Sequence, residues 1–345
     1  MRMIAKILAR PEFESEPPVL IDVGASGGLH KRWKALAKYA VCIAFDADDR
    51  EMRQPSRPSN RYKRLHIYRR ALTAGSEGAA NFYLAKSPAC SSLLLPRSEK
   101  LADWEFAGRF EVIGKTTVRT VHLDTVLREL RIERVDWFKT DSQGTDARLF
   151  ESLGPQRMRR VLVAEFEPAI MDSYQGEDKL WQVMSLMDRF GFWMSDIEIK
   201  GSQRIRKKLL AGFRSFERDY MLHLLRIAPG WAEVNYLNGF SGDDFRLREY
   251  LLGWVCATLQ GHHGFALELA ATAKRRFADA VCEDLERHSR AAIRRCYLNL
   301  FAYFPLAGRV IRRWIRQKRH QAAAGPAPDA YPAARETLNG GEALE

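Results

Sequence analysis

Glycine and acidic residues in the first half of the chain have the types and spacing that a nucleotide-binding site needs. The motif Asp22-x-Gly24-x-Ser26-x-Gly28 follows a short apolar run, and Asp46 ends the next one. Glycine lets the backbone approach a ligand, and Asp22 could accept a hydrogen bond from a cationic amino-acid group. An acid at the position of Asp46 can accept both ribose hydroxyls of an adenosine. We predict that these five residues bind a nucleotide cofactor.

The same turn excludes two other nucleotide-binding fingerprints. It reads Gly-Ala-Ser-Gly-Gly-Leu, which matches neither the dinucleotide motif G-x-G-x-x-G nor the P-loop G-x-x-x-x-G-K-[ST]. A glycine-rich turn alone can be a simple chain reversal, so the prediction depends on the turn and Asp46 together.

Further charged residues end two later apolar runs. Asp141 follows one run, and Glu165 and Glu167, two apart and therefore on one side of a strand, end the next. We predict a catalytic group of Asp141, the leading candidate for the general base, Lys139 and Glu165. Asp141, Glu165 and Glu167 could also form an oxygen-only magnesium site. The alternatives are that Asp141 caps a helix, that the glutamates are solvated, and that Lys139 pairs with another acid.

Apolar patterning predicts the elements that position these residues. Predicted strands and helices alternate along the first two thirds, which is typical of a doubly wound, mostly parallel α/β sheet. We place strands at residues 19–23, 40–46, 65–72, 135–141, 160–166, 193–199 and 219–227, and an inserted hairpin at 80–84 and 115–121. We place helices at residues 29–38, 145–153, 178–190, 246–256, 265–277 and 280–301.

Seven short motifs in these segments resemble the FkbM-like family of class I methyltransferases. The motifs are Ile21–Gly28, Ala44–Asp46, Ala71–Thr73, Ser91–Leu93, Val121–Asp124, Val135–Gly144 and Val163–Glu165. The resemblance implies a Rossmann-like fold, S-adenosylmethionine as cofactor, and O-methylation, often of sugar or polyketide hydroxyls. It also implies that Ala71 and Leu72 bind the cofactor and that Ser91 and Ser92 contact the substrate.

Four polar positions depart from the family pattern, and one of them is Asp146, which shortens a glutamate. Ser26 replaces an asparagine and Asp46 replaces a glutamate, and both keep their hydrogen-bonding capacity. Gln143 stands where the family pattern has a carboxylate. We predict that Gln143 contacts the substrate, so the exchange bears on substrate choice and leaves cofactor binding intact.

The chain of 345 residues is long enough for one large domain and a smaller one. We predict an N-terminal extension at 1–14, the methyltransferase domain at 15–228, a basic helical domain at 229–320 and a disordered tail at 321–345. Five scattered cysteines without a C-x-x-C pair favour a cytoplasmic protein. No apolar run approaches the roughly 20 residues of a membrane-spanning helix.

The net charge of +12 is concentrated in the C-terminal half. Residues 202–320 contain 22 Lys and Arg against 11 Asp and Glu. Val310, Ile311, Trp314 and Ile315 would form one apolar helix face opposed by arginines, which is typical of a helix at an anionic membrane surface. The same face could instead pack on other helices or in a homodimer. Nucleic acid is the less favoured partner, because the aromatic residues are not spaced for base stacking.

These observations predict an S-adenosylmethionine-dependent O-methyltransferase that modifies a hydroxyl of a saccharide or of a saccharide-containing glycolipid. We expect it in the cytoplasm, or peripherally at the inner face of the membrane. Two alternatives stay open. One is an RNA methyltransferase that holds phosphates with the basic half, although no Asn-Pro-Pro-Tyr or Asp-Pro-Pro-Tyr segment is present. The other is an inactive cofactor-binding scaffold.

Overall fold

The computed structural model describes residues 2–25, 31–47, 62–242 and 244–298. One compact unit runs from Met1 to Arg290, and a second unit begins at Ala291. The predicted cofactor residues Ser26 and Gly28 and the predicted membrane helix around Trp314 lie outside the described residues.

Two sheets form the frame of the first unit. The strands are β1 (Val19–Val23), β2 (Val41–Phe45), β3 (Arg64–Tyr68), β4 (Ala71–Leu72), β5 (Gly78–Ala85), β6 (Val112–Val121), β7 (Trp137–Thr140), β8 (Val163–Phe166), β9 (Phe192–Ser202) and β10 (Ala228–Asn238). The large sheet has the order β3-β2-β1-β7-β8-β10-β9, and the small one β4-β6-β5. In the large sheet, neighbouring strands from β3 to β8 are parallel, whereas β10 is antiparallel to both β8 and β9. The predicted mostly parallel α/β sheet is confirmed, and the predicted hairpin forms the pair β5 and β6.

Helices cover both faces of the large sheet. The α-helices of the described residues are α1 (Arg2–Leu8), α2 (Pro11–Ser15), α3 (Ser98–Leu101), α4 (Leu123–Glu129), α5 (Asp146–Glu151), α6 (Pro155–Met158), α7 (Leu180–Arg189), α8 (Ser215–Leu224), α9 (Leu247–Leu259), α10 (His263–Arg276) and α11 (Val281–Leu298), of which α3 and α8 lie outside the two sheet cores. Successive strand residues point to opposite faces. Leu20 and Trp137 therefore join a core with α1, α9 and α10, while Ile21 and Phe138 join a second core with α4, α5 and α7.

The predicted strand at 219–227 is wrong. Residues 215–224 form α8, and the strand follows at β10. The run from Met221 to Ile227 is almost continuously apolar, and a short run of this kind fits a strand and a helix equally well.

Residue 228, where we predict the end of the methyltransferase domain, is the first residue of β10. The strand β10 lies in the main sheet, and α9 packs in the same core as Leu20 and Trp137. The helices after the sheet therefore complete the α/β unit as far as Arg290. Among the described residues, no helix has the length and apolarity needed to cross a membrane.

Candidate active site

The candidate active site lies at one edge of the large sheet. Because β1, β2, β7 and β8 are parallel, their carboxyl ends meet at this edge. Gly24, Asp46, Asp141 and Glu167 each follow one of these strands. Residues that are about 120 positions apart in the sequence are therefore neighbours in space.

A first cavity of about 110 Å³ opens at this edge. The predicted cofactor residues Gly24, Asp46, Ala71 and Leu72 line it, as does the predicted substrate residue Ser91. Asp141 and Gln143 form another part of its wall. The structure thus brings together residues of two separate predictions, one for cofactor and one for substrate, whereas Asp22 and Ser92 do not line this cavity.

Only glycine fits at position 24. The residue has a positive φ of 77°, and an added Cβ would stand 2.2 Å from the carbonyl oxygen of Asp141. The Gly24 amide donates to the carbonyl of Phe45, so the turn is held against both neighbouring strands. The glycine therefore allows a close approach between the ends of β1 and β7.

Asp22 and Lys139 form an ion pair with each other. The two residues face each other in the β1–β7 register, and Lys139 Nζ lies 2.7 Å from Asp22 Oδ1. Burial opposes the charge of Lys139, but Asp22 holds the pKa of the ammonium above its ordinary value. This pair agrees with the alternative in which Lys139 pairs with another acid. The Asp22 carboxylate, which the sequence predicts to bind a cationic ligand group, therefore binds Lys139.

Asp141 and Glu167 form a carboxyl pair. The parallel register aligns Lys139 with Glu165. Asp141 and Glu167 are each two positions further on, just past the ends of β7 and β8, and are therefore also close to each other. The side chains of Glu167 and Asp141 are hydrogen-bonded. Burial and the Asp141 carboxylate raise the pKa of Glu167 to about 9, so Glu167 is protonated at neutral pH and donates to Asp141.

Gln143 orients the Asp141 carboxylate from the other side. Its Nε2 donates to Asp141 Oδ1 at 2.5 Å, and its Oε1 accepts from the Tyr174 hydroxyl at 3.0 Å. A carboxylate at position 143 could accept from Tyr174 but could not donate to Asp141. The departure from the family pattern therefore has a structural role at the carboxyl pair. Ser92 supports the same turn, since its hydroxyl donates to the Gln143 carbonyl.

A second cavity, of about 130 Å³, adjoins the first. Both cavities are lined by Ala89, Asp141 and Gln143, which therefore form the wall between them. Aromatic and ionisable side chains surround the rest of the second cavity: Phe106, Arg109, Phe110, Glu167, Tyr174, Glu177 and Trp231. Most of these residues are not predicted as site residues from the sequence. Tyr174 and Trp231 are far from the glycine-rich turn in the chain, and no local motif includes them.

Two residues that line the second cavity each have a buried polar atom with unused hydrogen-bonding capacity. Glu177 Oε2 and Trp231 Nε1 are buried, and neither has a hydrogen-bond partner within the part of the chain that the structure describes. Buried polar groups are nearly always paired, so these two atoms are exceptions beside the cavity. One atom accepts hydrogen bonds and the other donates them.

The predicted magnesium ligands are not assembled into one site. Glu165 Oε1 accepts from Trp137 Nε1 at 2.7 Å, and Glu165 Oε2 lies 3.6 Å from Arg32 Nη1, away from the carboxyl pair. Within residues 2–25, 31–47, 62–242 and 244–298, no group of three or more His, Cys, Asp or Glu side chains could hold a metal ion. Glu165 lies within β8, two residues before Glu167, which follows the strand. The two side chains are on the same side of the strand but one pleat apart, so they do not form one site.

Asp141 does not cap a helix, because the N-cap of α5 is Thr145 and no side chain caps it; Asp146, the first residue of α5, instead binds the preceding turn. Its Oδ1 accepts hydrogen bonds from Thr140 Oγ1 at 2.8 Å and from the Ser142 backbone and hydroxyl. Burial raises the pKa of Asp146 to about 7. Asp146 thus holds the turn after β7, and the Asp141 side chain remains at the wall between the cavities.

The raised pKa of Glu167 predicts a pH-dependent stability. In the unfolded chain Glu167 ionises near 4.5, but in the folded protein near 9. Between these two pH values the folded protein binds one proton more than the unfolded chain does. The free energy of unfolding therefore decreases as the pH rises through this range. We expect the urea midpoint of Glu167→Gln to decline less steeply than that of the wild type across this range. The exposed variant Glu14→Gln should follow the wild type, and parallel curves for all three proteins would contradict the assignment.

Comparison with known proteins agrees with this geometry. The family model described as Methyltransferase FkbM domain matches residues 22–200. A search among curated proteins finds no match. The matched segment begins at Asp22 in β1 and ends at Lys200 in β9, so it includes both halves of the carboxyl pair and the residues named above from the first cavity. Because the match covers more than half of the 345 residues, the protein belongs to the FkbM family of methyltransferases.

Proposed function

We propose that this methyltransferase transfers the methyl group of S-adenosylmethionine to a hydroxyl of a saccharide or of a saccharide-containing glycolipid. The observation that carries the proposal is the lining of the second cavity, which combines aromatic side chains with hydrogen-bonding ones, among them Trp231 and Glu177. A hydroxyl both donates and accepts hydrogen bonds, so a polyhydroxylated ligand can satisfy groups of both kinds.

The residues of the first cavity fit S-adenosylmethionine. Asp46 at the end of β2 offers a carboxylate to the ribose hydroxyls, and the turn at Gly24 forms another part of the cavity wall. Phe45 and Leu72 supply apolar surface for the adenine ring. S-adenosylmethionine supplies an electrophilic methyl group when it is bound.

The second cavity suits a sugar ring as the methyl acceptor. Its aromatic side chains, among them Phe106 and Trp231, provide flat apolar surfaces for the C–H faces of a pyranose. Glu177, Gln143 and the carboxyl pair provide polar partners for hydroxyls. The common wall of Asp141 and Gln143 would place an acceptor hydroxyl beside the cofactor cavity.

The carboxyl pair provides a destination for the acceptor proton. Transfer of the methyl group to the acceptor hydroxyl would release one proton, which a basic group of the protein must accept. The hydroxyl proton passes to the Asp141 carboxylate, which Gln143 and protonated Glu167 hold in place. No step requires a metal ion, in keeping with the arrangement of Glu165.

A labelled-methyl transfer assay tests the proposed acceptor. We expect the full-length protein to transfer tritiated methyl groups from S-adenosylmethionine to the polysaccharide or glycolipid fraction of a cell extract, with or without a chelator. Label that enters RNA alone would replace the saccharide by RNA as substrate. Absence of label from every fraction would favour a cofactor-binding scaffold, and loss of transfer with chelator would restore the magnesium prediction.

The variant Trp231→Phe tests the second cavity as the acceptor site. The change keeps an aromatic ring but removes the unpaired N–H, so one hydrogen bond to the acceptor is lost. We expect the KM for the acceptor to rise about 3- to 10-fold, as for one neutral hydrogen bond. The affinity for S-adenosylmethionine should stay unchanged. Trp193 is the matched control, because its Nε1 is also buried and unpaired among the described residues but it does not line the second cavity. Equal KM values for Trp231→Phe and Trp193→Phe would contradict the acceptor site.

A further inference from the structure

The segment between β9 and β10 exposes an unusual amount of apolar surface. We call residues 203–227 the arm; it contains a 3₁₀ turn, Lys207–Gly212, and the helix α8. Seven of its large apolar side chains are between 41% and 68% exposed: Leu209, Phe213, Phe216, Tyr220, Leu224, Leu225 and Ile227. Exposed apolar residues in such a cluster mark an interaction surface.

The apolar side of α8 faces the solvent, unlike that of a typical surface helix. Phe216, Tyr220 and Leu224 recur every four residues and face the solvent, while Met221 and Leu222 are half-buried. An amphipathic helix in a globular protein normally turns its apolar stripe toward the core. The exposed stripe of α8 therefore needs a partner outside the described unit.

The arm lies at the edge of the sheet that carries the active site. Because β9 is antiparallel to β10 and β10 is antiparallel to β8, β9 ends at the same edge as β8. Arg204 and Arg206 contact Asp103 at 2.9 and 2.7 Å, and the Glu105 amide donates to the Gln203 carbonyl. The segment from Glu105 to Phe110 supplies Phe106 to the second cavity, so the base of the arm is attached to the wall of that cavity.

The positive charge of the arm favours an anionic partner. The arm contains seven Lys and Arg but two acids, Glu217 and Asp219, and Lys207, Lys208 and Arg226 are exposed beside the apolar side chains. A second copy of the arm would bring like charges together across a symmetric contact. An anionic lipid surface accepts both the cations and the apolar side chains, with aromatic residues at the headgroup level.

We propose that the arm docks on an anionic lipid bilayer, with Phe216, Tyr220 and Leu224 in the headgroup and acyl boundary and Lys207 and Lys208 at the lipid phosphates. Docking would hold the second cavity near the membrane surface. The proposal concerns a segment other than the one around Trp314, for which the sequence predicts a membrane-surface helix, and it does not depend on methyl transfer.

Vesicle co-sedimentation of the full-length protein tests the proposal. The probes are vesicles of phosphatidylcholine alone and of phosphatidylcholine mixed with phosphatidylglycerol. We expect binding to the mixed vesicles, and a loss of at least about tenfold in partitioning for Phe216→Ser/Leu224→Ser and for Lys207→Glu/Lys208→Glu. All four side chains are exposed, so the variants should retain the wild-type melting temperature.

Two matched controls and one local readout complete the test. Ile67→Ser removes an exposed apolar residue from β3, which is the outermost strand on the side of the sheet away from β9. Lys34→Glu/Lys38→Glu reverses two exposed charges that precede β2. Both controls should bind like the wild type, and amide hydrogen exchange should slow in residues 203–227 when mixed vesicles are added. The proposal is overturned if the arm variants bind like the controls, or if the arm variants instead abolish a lipid-free dimer or RNA binding.

Discussion

Arg248→Ala is expected to lower the free energy of unfolding by about 3–5 kcal/mol, the usual effect of breaking a buried ion pair. Arg248 Nη1 and Nη2 each lie 2.9 Å from one carboxylate oxygen of Asp136, and both side chains are 3% exposed. The Asp136 carboxylate also accepts from the Val19 amide. Removal of the guanidinium would leave a carboxylate charge buried without its partner. Urea unfolding followed by tryptophan fluorescence measures the loss.

Arg246→Ala is the matched control. Arg246 lies two residues earlier and also contacts acids, but its side chain is 48% exposed, so its removal should cost about 1 kcal/mol or less. The double variant Arg248→Ala/Asp136→Ala should lose much less than the sum of the two single variants. Equal losses for Arg246→Ala and Arg248→Ala would show that the buried pair does not stabilise the fold.

The result bears on the organisation of the chain. Arg248 belongs to α9, whereas Asp136 precedes β7 and Val19 begins β1. A stability loss of this size would mean that α9 is part of the cooperative unit that carries the active site. The helices beyond β10 would then contribute to the stability of the methyltransferase unit, and residue 228 would not separate independent domains.

Asp141→Ala is expected to decrease kcat by about 10²- to 10⁴-fold, the range for loss of a positioned general base. Asp141 lines both cavities and is held by Gln143 and Glu167, so its carboxylate lies at the common wall where transfer would occur. The affinity for S-adenosylmethionine, measured by calorimetry, should change little. Asp141→Asn, which keeps the shape and loses the charge, should be affected to a similar degree.

Asp46→Ala provides the opposite pattern. It removes a carboxylate from the first cavity alone, so we expect a weaker affinity for S-adenosylmethionine, about 10-fold or more. Its kcat at saturating cofactor should remain near that of the wild type. If Asp141→Ala kept full activity, the proton acceptor would have to be another group. If Asp46→Ala bound S-adenosylmethionine as tightly as the wild type, the ribose assignment would be wrong.

Local sequence patterns predicted the parallel part of the fold well for a physical reason. Strands such as Val41–Phe45 are buried on both faces, and this produces continuous apolar runs that end at polar residues. The family resemblance rests on such strand ends and is confirmed by the match over residues 22–200. The run from Met221 to Ile227 misled the prediction because a short, mostly apolar run does not distinguish a strand from a helix.

The sequence by itself determined the fold class, the family and the positions of Gly24, Asp46 and Asp141, since each depends on residues close together in the chain. Only the tertiary structure decided how the charged side chains are paired. The register of β1, β7 and β8 pairs Lys139 with Asp22 and places Glu167 beside Asp141. The second cavity and the exposed stripe of α8 likewise depend on contacts between distant segments, which no local pattern of residue types specifies.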